Sequence, residues 1–285
     1  MKISLITLAL LLPWSLTAQT NEEVSFGTDS VLLSGTLTLP TGQGPFPAVV
    51  LVSGSGPQDR DSQILGFKPF KILADSLAEV GIAVLRYDDR GTGKSTGKSV
   101  NQSTSEELAS DAYYAVQLLK KHRRIQAGNI GVIGHSEGGI IAPMVAVQDP
   151  DVAFIVLMAG YGVKGVELSN AQAAAIMKAS GMSEDYIEKA NELNGKILQM
   201  MSQPDVTDDE LEQFVVKETV AMVDLMPDTY KKSITDPEAY AKQQAKAAIA
   251  QFKSPWIRYY MSYDPAPTLA EVKCTELMLL AALDT

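Results

Sequence analysis

Short apolar runs alternate with helix-like segments along residues 20–160, and this alternation restricts the chain to few folds. Residues 48–52 are an uninterrupted apolar run, as expected for a strand that is covered on both faces. Further strands are predicted at residues 24–26, 31–39, 82–87, 130–134 and 152–158, with helices at residues 70–80, 105–123 and 138–147. This order predicts an α/β protein with a mostly parallel, doubly wound sheet.

Residues 161–264 have a different, helical character. Thr207 and Glu210 have the spacing of a capping box, and Asp236 followed by Pro237 is typical of a helix start. We expect a helical cap over residues 161–264, inserted after the sixth strand, with the core resuming over residues 265–285. A chain of 285 residues that is 46% hydrophobic can bury one sizeable core of this kind.

The first 19 residues have the pattern of a secretory signal peptide. Lys2 precedes an apolar run over residues 3–12, and small residues follow at Ser15, Thr17 and Ala18. The run is too short to span about 30 Å of hydrocarbon, so no stable membrane anchor is expected. This pattern predicts an exported protein, periplasmic or extracellular.

Charge and cysteine content narrow the range of partners. The net charge is −10 and no basic patch stands out, which argues against nucleic acid as a partner. Cys274 is the only cysteine, so the chain forms no internal disulfide. The oligomeric state stays open.

The pattern G-x-S-x-G occurs twice, centred on Ser95 and on Ser136. A nucleophilic serine in this pattern must lie on a sharp turn between a strand and a helix. No apolar strand precedes Ser95 and no helix follows it, whereas residues 130–133 and 140–145 flank Ser136 with apolar side chains. Ser136 is therefore the predicted nucleophile, and Ser95 is predicted to be a loop serine.

Two loops could supply hydrogen-bond donors to a substrate oxyanion. One donor is predicted to be the backbone N–H of Glu137, the residue after the nucleophile. The glycine-rich loop at residues 53–57 would supply the other, from Ser55 or Gly56. Nearby charged residues are predicted to form ion pairs that brace this loop: Asp59, Arg60, Asp61, Arg86, Asp88 and Arg90.

Three loop sequences, at residues 54–61, 86–95 and 134–139, together resemble a known family. They look like exported bacterial α/β-hydrolases, the esterase-like relatives of the serine aminopeptidases, over roughly residues 24–274. The resemblance implies an α/β-hydrolase fold, a Ser–Asp–His triad in that order, and no metal or organic cofactor.

The acid and the base of that triad are harder to place. Asp284 matches the family's acid in position, although the Pro, Asn and Gly that usually surround it are replaced here. His122 and His135 are the only histidines, and both are expected to be structural. The catalytic histidine, the last strand and the last helix are therefore expected to be missing from a truncated, essentially inactive chain.

Aromatic residues near the end of the cap are candidates for a substrate pocket. Trp256, Tyr259 and Tyr260 are predicted to line an apolar pocket beside Ser136. The leading hypothesis is a serine hydrolase that acts on small-molecule carboxylic esters. An aminopeptidase-like enzyme acting on short peptides, and a non-catalytic ligand-binding protein or non-functional fragment, remain alternatives.

Overall fold

The computed structural model describes residues 19–201, 203 and 205–280. Within these residues, strands form one seven-stranded sheet in the order β1-β2-β4-β3-β5-β6-β7. The strands are β1 (Thr20–Gly27), β2 (Leu32–Leu39), β3 (Phe46–Val52), β4 (Ala83–Tyr87), β5 (Ile125–His135), β6 (Phe154–Met158) and β7 (Thr275–Leu279). β2 pairs antiparallel with β1 and β4, and the other neighbours are parallel. The predicted mostly parallel α/β sheet is confirmed.

Helices cover both faces of the sheet. The helices of this layer are α1 (Pro69–Glu79), α2 (Ser105–Lys121) and α3 (Gly138–Gln148). Val49 and Leu51 of β3 pack in one cluster with α1, whereas Val50 and Val52 pack in another with α2 and α3. Because successive strand residues face opposite sides, this double burial accounts for the uninterrupted apolar run.

Helix α1 lies within one residue of its predicted bounds, 70–80, at both ends. Pro69 is at its first position, where a missing N–H costs no intrahelical hydrogen bond. At the other end Gly81 has φ +90°, and the N–H groups of Gly81 and Ile82 donate to Ala78 and Leu77. This is a Schellman-type ending, which requires the left-handed conformation that glycine adopts readily.

Several strand boundaries differ from the predictions: β1 and β3 begin earlier than expected, at Thr20 and Phe46, and two further differences have clear local causes. β5 begins at Ile125 rather than at residue 130, because Ile125 extends the pairing as far as Phe46 of β3. β6 begins at Phe154 rather than at Val152, because the N–H of Val152 closes a turn onto Asp149. Turn and pairing contacts of this kind leave little trace in the apolar pattern.

The segment after β6 is helical, as its sequence indicates. It contains α4 (Gly165–Ala179), α5 (Glu184–Met201), α6 (Asp208–Val223), α7 (Asp228–Lys231), α8 (Pro237–Lys253) and α9 (Pro255–Ser262). A last short helix, α10 (Pro265–Glu271), leads into β7. The capping box of Thr207 and Glu210 and the Asp236 cap are both present.

Strand β7 lies at one edge of the sheet and is exposed along its whole length. Residues 1–18, which carry most of the predicted signal peptide, and residues 281–285, which include Asp284, lie outside the described residues. Among the helices that are described, none combines the length and apolar character needed to cross a lipid bilayer.

Candidate active site

Ser136 lies on the turn between β5 and α3. The strand ends at His135 and the helix begins at Gly138, so only two residues make the turn. Ser136 has φ +53°, in the left-handed region that a residue with a β-carbon rarely adopts. Its N–H donates to the carbonyl of Met158, at 2.9 Å, which attaches the turn to the end of β6.

The glycines of this turn are required by close backbone contacts. A β-carbon on Gly134 would lie 1.8 Å from the carbonyl oxygen of Gly138. One on Gly138 would lie 2.4 Å from the carbonyl oxygen of Val52. Both distances are far inside van der Waals contact, so the G-x-S-x-G spacing around Ser136 is a steric requirement.

The other serine in this pattern has a structural role. Ser95 is buried, its hydroxyl donates to the backbone carbonyl of Asp88 at 2.6 Å, and it accepts from the N–H of Ser34 at 2.9 Å. Because the Ser95 hydroxyl already donates one hydrogen bond and accepts another, it is unavailable for attack on a substrate. The prediction that Ser95 is a loop serine is confirmed.

The loop after β3 approaches Ser136 closely. A β-carbon on Gly54 would lie 3.2 Å from the Ser136 β-carbon, so glycine allows this approach. Ser55 lines the same cleft as Ser136, and Glu137 is the N-cap residue of α3. Gly56 has φ +84° and does not line this cleft in the described part of the chain. Of the two residues predicted for this loop, only Ser55 therefore lines the cleft beside Ser136.

Asp89 fixes the position of that loop. Its carboxylate accepts from the Ser53 hydroxyl at 2.9 and 3.1 Å and from the Gln58 N–H at 2.9 Å. Burial raises the pKa of Asp89 from 3.8 to about 7 against the effect of these hydrogen bonds, and the charges of Asp111 and Glu137 raise it further. The sequence interpretation did not include Asp89 among the bracing residues.

Four of the six residues predicted to form ion pairs near this loop pair with each other. Arg60 donates to both oxygens of Asp88, at 3.0 and 2.8 Å, and Arg86 pairs with Asp61. Arg90 does not join this group. It pairs instead with Asp111 of α2, which is buried beside it. Asp59 accepts hydrogen bonds from the N–H groups of Asp61 and Gln63 in its own turn.

An apolar cleft of about 630 Å³ opens beside Ser136. Besides Ser136, its polar and glycine lining consists of Gly54, Ser55, Gln58, Ser62, Ser76 and His135. The apolar side chains that line the rest come from α1, the loop before it and β6: Ile64, Phe67, Pro69, Phe70, Ile72, Leu73 and Met158. A cavity of similar size, about 600 Å³, lies between α6 and α8 and is lined mainly by charged and amide side chains, far in sequence from the turn. Only the first combines a serine on a strained turn with an apolar wall.

The aromatic residues of the cap lie elsewhere. Trp256, Tyr259 and Tyr260 are not among the described residues that line the cleft. Tyr260 packs between Trp256 and Tyr161, with ring centroids 5.4 and 5.8 Å away, and Tyr259 stacks on Tyr263. The prediction that these residues line a pocket beside Ser136 is corrected. Trp256 and Tyr260 pack in the hydrophobic cluster of the helical segment, and Tyr259 borders a different cavity beside α2 and α3.

Trp256 instead contacts the residue next to Ser136. Its indole Nε1 donates to both carboxylate oxygens of Glu137, at 2.9 and 3.0 Å. The Ser105 hydroxyl, at the first position of α2, donates to the same carboxylate at 2.7 Å. The sequence interpretation used only the backbone of Glu137. An acidic residue at the start of an apolar helix was the signal that its side chain also needs partners.

Neither histidine bonds to Ser136. His122 contacts Glu22 at 3.2 Å, and His135 is exposed on the wall of the cleft. In residues 19–201, 203 and 205–280, no side chain forms a hydrogen bond with the Ser136 hydroxyl. The same residues contain no group of three or more His, Cys, Asp or Glu side chains arranged to hold a metal ion.

A serine held on a left-handed turn after a central parallel strand, with a glycine-rich loop against it, is characteristic of an α/β-hydrolase. The family model described as "Serine aminopeptidase, S33" matches residues 68–210, half of the chain. The chain belongs to this family of hydrolases. The resemblance noted in the three loop sequences is confirmed at that level.

Curated relatives match shorter stretches. Esterase EstD of Thermotoga maritima is 42% identical over 114 residues, which are 40% of this chain and 27% of that protein. An uncharacterized protein of Mycobacterium tuberculosis is 31% identical over 127 residues, 45% of this chain and 41% of that protein. The match thus spans well under half the length of these relatives.

Among solved structures, an α/β-hydrolase from Penicillium covers 92% of this chain and 90% of its own, with a TM-score of 0.48 and 18% identity. An esterase of Pyrococcus furiosus covers 56% of both chains, with a TM-score of 0.46 and 22% identity.

Proposed function

We propose that this protein is a serine hydrolase that cleaves carboxylic esters, with Ser136 as its nucleophile. The observation that carries the proposal is the position of Ser136 on a strained turn at the wall of an apolar cleft. A hydroxyl held in this way is exposed to an incoming carbonyl, and the first N–H groups of α3 favour negative charge beside it.

The proposed reaction has two acyl-transfer steps. The Ser136 oxygen attacks the ester carbonyl and loses its proton to a base, and the backbone N–H groups of Glu137 and Ser55 stabilise the resulting oxyanion. Collapse of this intermediate expels the alcohol, which takes up the proton, and leaves an acyl group on Ser136. Water then releases the acid and restores the serine.

We assign the acid of the triad to Asp284. We assign the base to neither of the two histidines in this sequence. His122 is occupied by Glu22. His135 precedes Ser136 directly, and its side chain makes no hydrogen bond to the serine hydroxyl. A base must come within about 3 Å of the proton that it removes.

The lining of the cleft favours esters over peptides with a free N-terminus. An aminopeptidase must bind an α-ammonium group, for which carboxylates are the usual partners. None of the described residues that line the cleft is an Asp or a Glu. An acyl group needs only an apolar wall, which Phe67, Phe70 and Met158 supply. The esterase activity named for the Thermotoga relative agrees with this choice.

Covalent labelling tests the proposal. The protein expressed from its complete reading frame should react with a fluorophosphonate probe at Ser136, and Ser136→Ala should abolish labelling. Ser95→Ala is the matched control, since it removes the serine of the other G-x-S-x-G sequence and should label normally. Retained labelling in Ser136→Ala would refute the assignment. An unlabelled wild-type protein would favour the non-catalytic, ligand-binding alternative.

A substrate panel then separates the two hydrolase functions. Activated carboxylic esters and aminoacyl amides should be compared at matched concentration, with turnover expected for the esters. Preferential cleavage of the aminoacyl amides would instead support the aminopeptidase-like alternative.

The proposal also includes export, with residues 1–19 as a signal peptide and no stable membrane anchor. A mature protein that begins at Thr20 in the periplasm or the medium is the expected result. Intact-mass measurement of the protein from its native host tests it, and a cytoplasmic protein that retains residues 1–19 would contradict it.

A further inference from the structure

The side chain of Glu137 joins three parts of the molecule. Only 1% of this residue is exposed, although it carries a carboxylate. One neighbour is Ser105 at the start of α2, itself fully buried, and the other is Trp256 in α9. These partners are 32 and 119 residues away in sequence, so the carboxylate is a direct polar link between α2, the start of α3 and α9.

Two neutral donors hold this buried acid. Among the described residues, no Lys, Arg or His forms an ion pair with Glu137. Burying a carboxylate without a neighbouring cation costs desolvation free energy, and an apolar side chain would fill the same volume at a lower cost. Packing alone therefore does not explain an acid here.

The geometry points to a positioning role for Glu137: its carboxylate, bonded to Ser105 and Trp256, fixes the backbone N–H that stabilises the oxyanion. Glu137 directly follows Ser136, with φ −56° and ψ −35°, so its peptide N–H and its side chain are attached to the same α-carbon. Holding both carboxylate oxygens restricts rotation of that residue. This inference rests on the proposed function, because it assumes that Ser136 is the nucleophile.

The same contact couples the helical segment to the reacting centre. Trp256 packs against Tyr260, which contacts Tyr161 just after β6. A shift of α9 that breaks the Trp256–Glu137 hydrogen bond would therefore free the N–H beside Ser136. Stabilisation of the oxyanion then depends on whether α9 keeps its contact with Glu137, although α9 does not line the cleft beside Ser136.

Two substitutions remove the donors without touching the turn itself. Trp256→Phe keeps an aromatic ring and removes the indole N–H, and Ser105→Ala removes the hydroxyl. We expect each to lower kcat for a short ester roughly 10- to 100-fold while KM changes less than about twofold, because donor geometry matters in the transition state.

Matched controls remove one hydrogen bond nearby. Tyr263→Phe, just after α9, loses the contact with Thr268, and Ser110→Ala, in α2, loses the contact with the Glu106 carbonyl. Neither residue touches Glu137, so kcat should stay within about twofold of the wild type in both variants.

Substitution of Glu137 itself provides a rescue test. Glu137→Gln retains an acceptor oxygen for both donors and should keep most of kcat, whereas Glu137→Leu should not. If Glu137→Leu fails to fold, the two donor variants still decide the question. In the Glu137→Gln background, Trp256→Phe should again lower kcat, because the amide oxygen is still its partner.

The outcomes separate this inference from the proposed function. Unchanged kcat in both Trp256→Phe and Ser105→Ala, with only lowered melting temperatures, would overturn the positioning role and leave Ser136 as the nucleophile. Full activity in Ser136→Ala would overturn the proposed function itself, and this inference with it.

Discussion

The Ser53 hydroxyl donates to the carboxylate of Asp89 at 2.9 Å, and this contact joins the end of β3 to the segment after β4. Asp89 also accepts from the N–H of Gln58, so its two oxygens span the start and the end of the loop that lies against Ser136. The loop carries Ser55, and its position depends on an acid that is almost completely buried. The charge of that acid therefore affects both folding and the site.

Asp89 should make stability depend on pH. Its pKa is raised to about 7, so the folded protein binds this proton more tightly than the unfolded chain. The resulting stabilisation is fully present below pH 3.8 and is lost as the pH rises to about 7. It amounts to about 4 kcal/mol, from three pKa units at about 1.4 kcal/mol each. Asp89→Asn should remove this slope, as measured by chemical denaturation between pH 4 and 8.

Asp151→Asn is the control for that experiment. The Asp151 side chain is 81% exposed, so its substitution should leave the slope unchanged. An identical pH dependence in wild type and Asp89→Asn would show that Asp89 is charged throughout this range.

The left-handed conformation of Ser136 should be a source of strain. Replacing Ser136 with Gly relieves the contact between its β-carbon and the backbone, whereas replacing it with Ala does not. After allowing for the greater flexibility of glycine in the unfolded chain, Ser136→Gly should be about 0.5–1 kcal/mol more stable than Ser136→Ala. Urea denaturation of the two variants measures this difference. Equal stabilities would mean that the turn stores no strain at this residue.

Phe67 should influence the choice of acyl group. It lines the cleft while 58% of it remains exposed, and its loop is held by backbone bonds to Ile64. Phe67→Ala should lower kcat/KM for long acyl esters roughly tenfold relative to acetate esters, since less apolar surface is buried. Leu65→Ala is the matched control, because Leu65 is in the same loop but does not line the cleft. An equal effect on all chain lengths would indicate a general disturbance of the loop.

Neither His122 nor His135 should act as the base for Ser136. Neither bonds to the serine hydroxyl, and His122 contacts Glu22 instead. Loss of the base lowers turnover of a serine hydrolase by roughly a millionfold, so His122→Ala and His135→Ala should each keep ester turnover within about tenfold of the wild type. Turnover abolished by either substitution would show that the substituted histidine is the base.

The sequence predicted the features that depend on local contacts. Ser136 could be distinguished from Ser95 because an apolar strand and helix flank only one of them. The partners of Glu137 could not be predicted, since Ser105 and Trp256 come close only when the sheet and helices pack. The sequence did not reveal this packing, so Trp256 was predicted to line the cleft. A tryptophan needs a partner for its indole N–H, but the sequence does not say which partner.

The helices after β6 share a hydrophobic cluster that includes few residues of the sheet or of α1, α2 and α3. Its buried members are mostly in α5, α6, α8 and α9, joined by Ile140 of α3 and by Tyr161. Most of the apolar contacts that stabilise these helices are therefore contacts among the helices themselves. We expect them to open as one cooperative unit while β3 and β5 stay paired, in the manner of subglobal unfolding. Amide hydrogen exchange should then be faster and uniform across α6 and α8, and slowest in the central strands on which Ser136 depends.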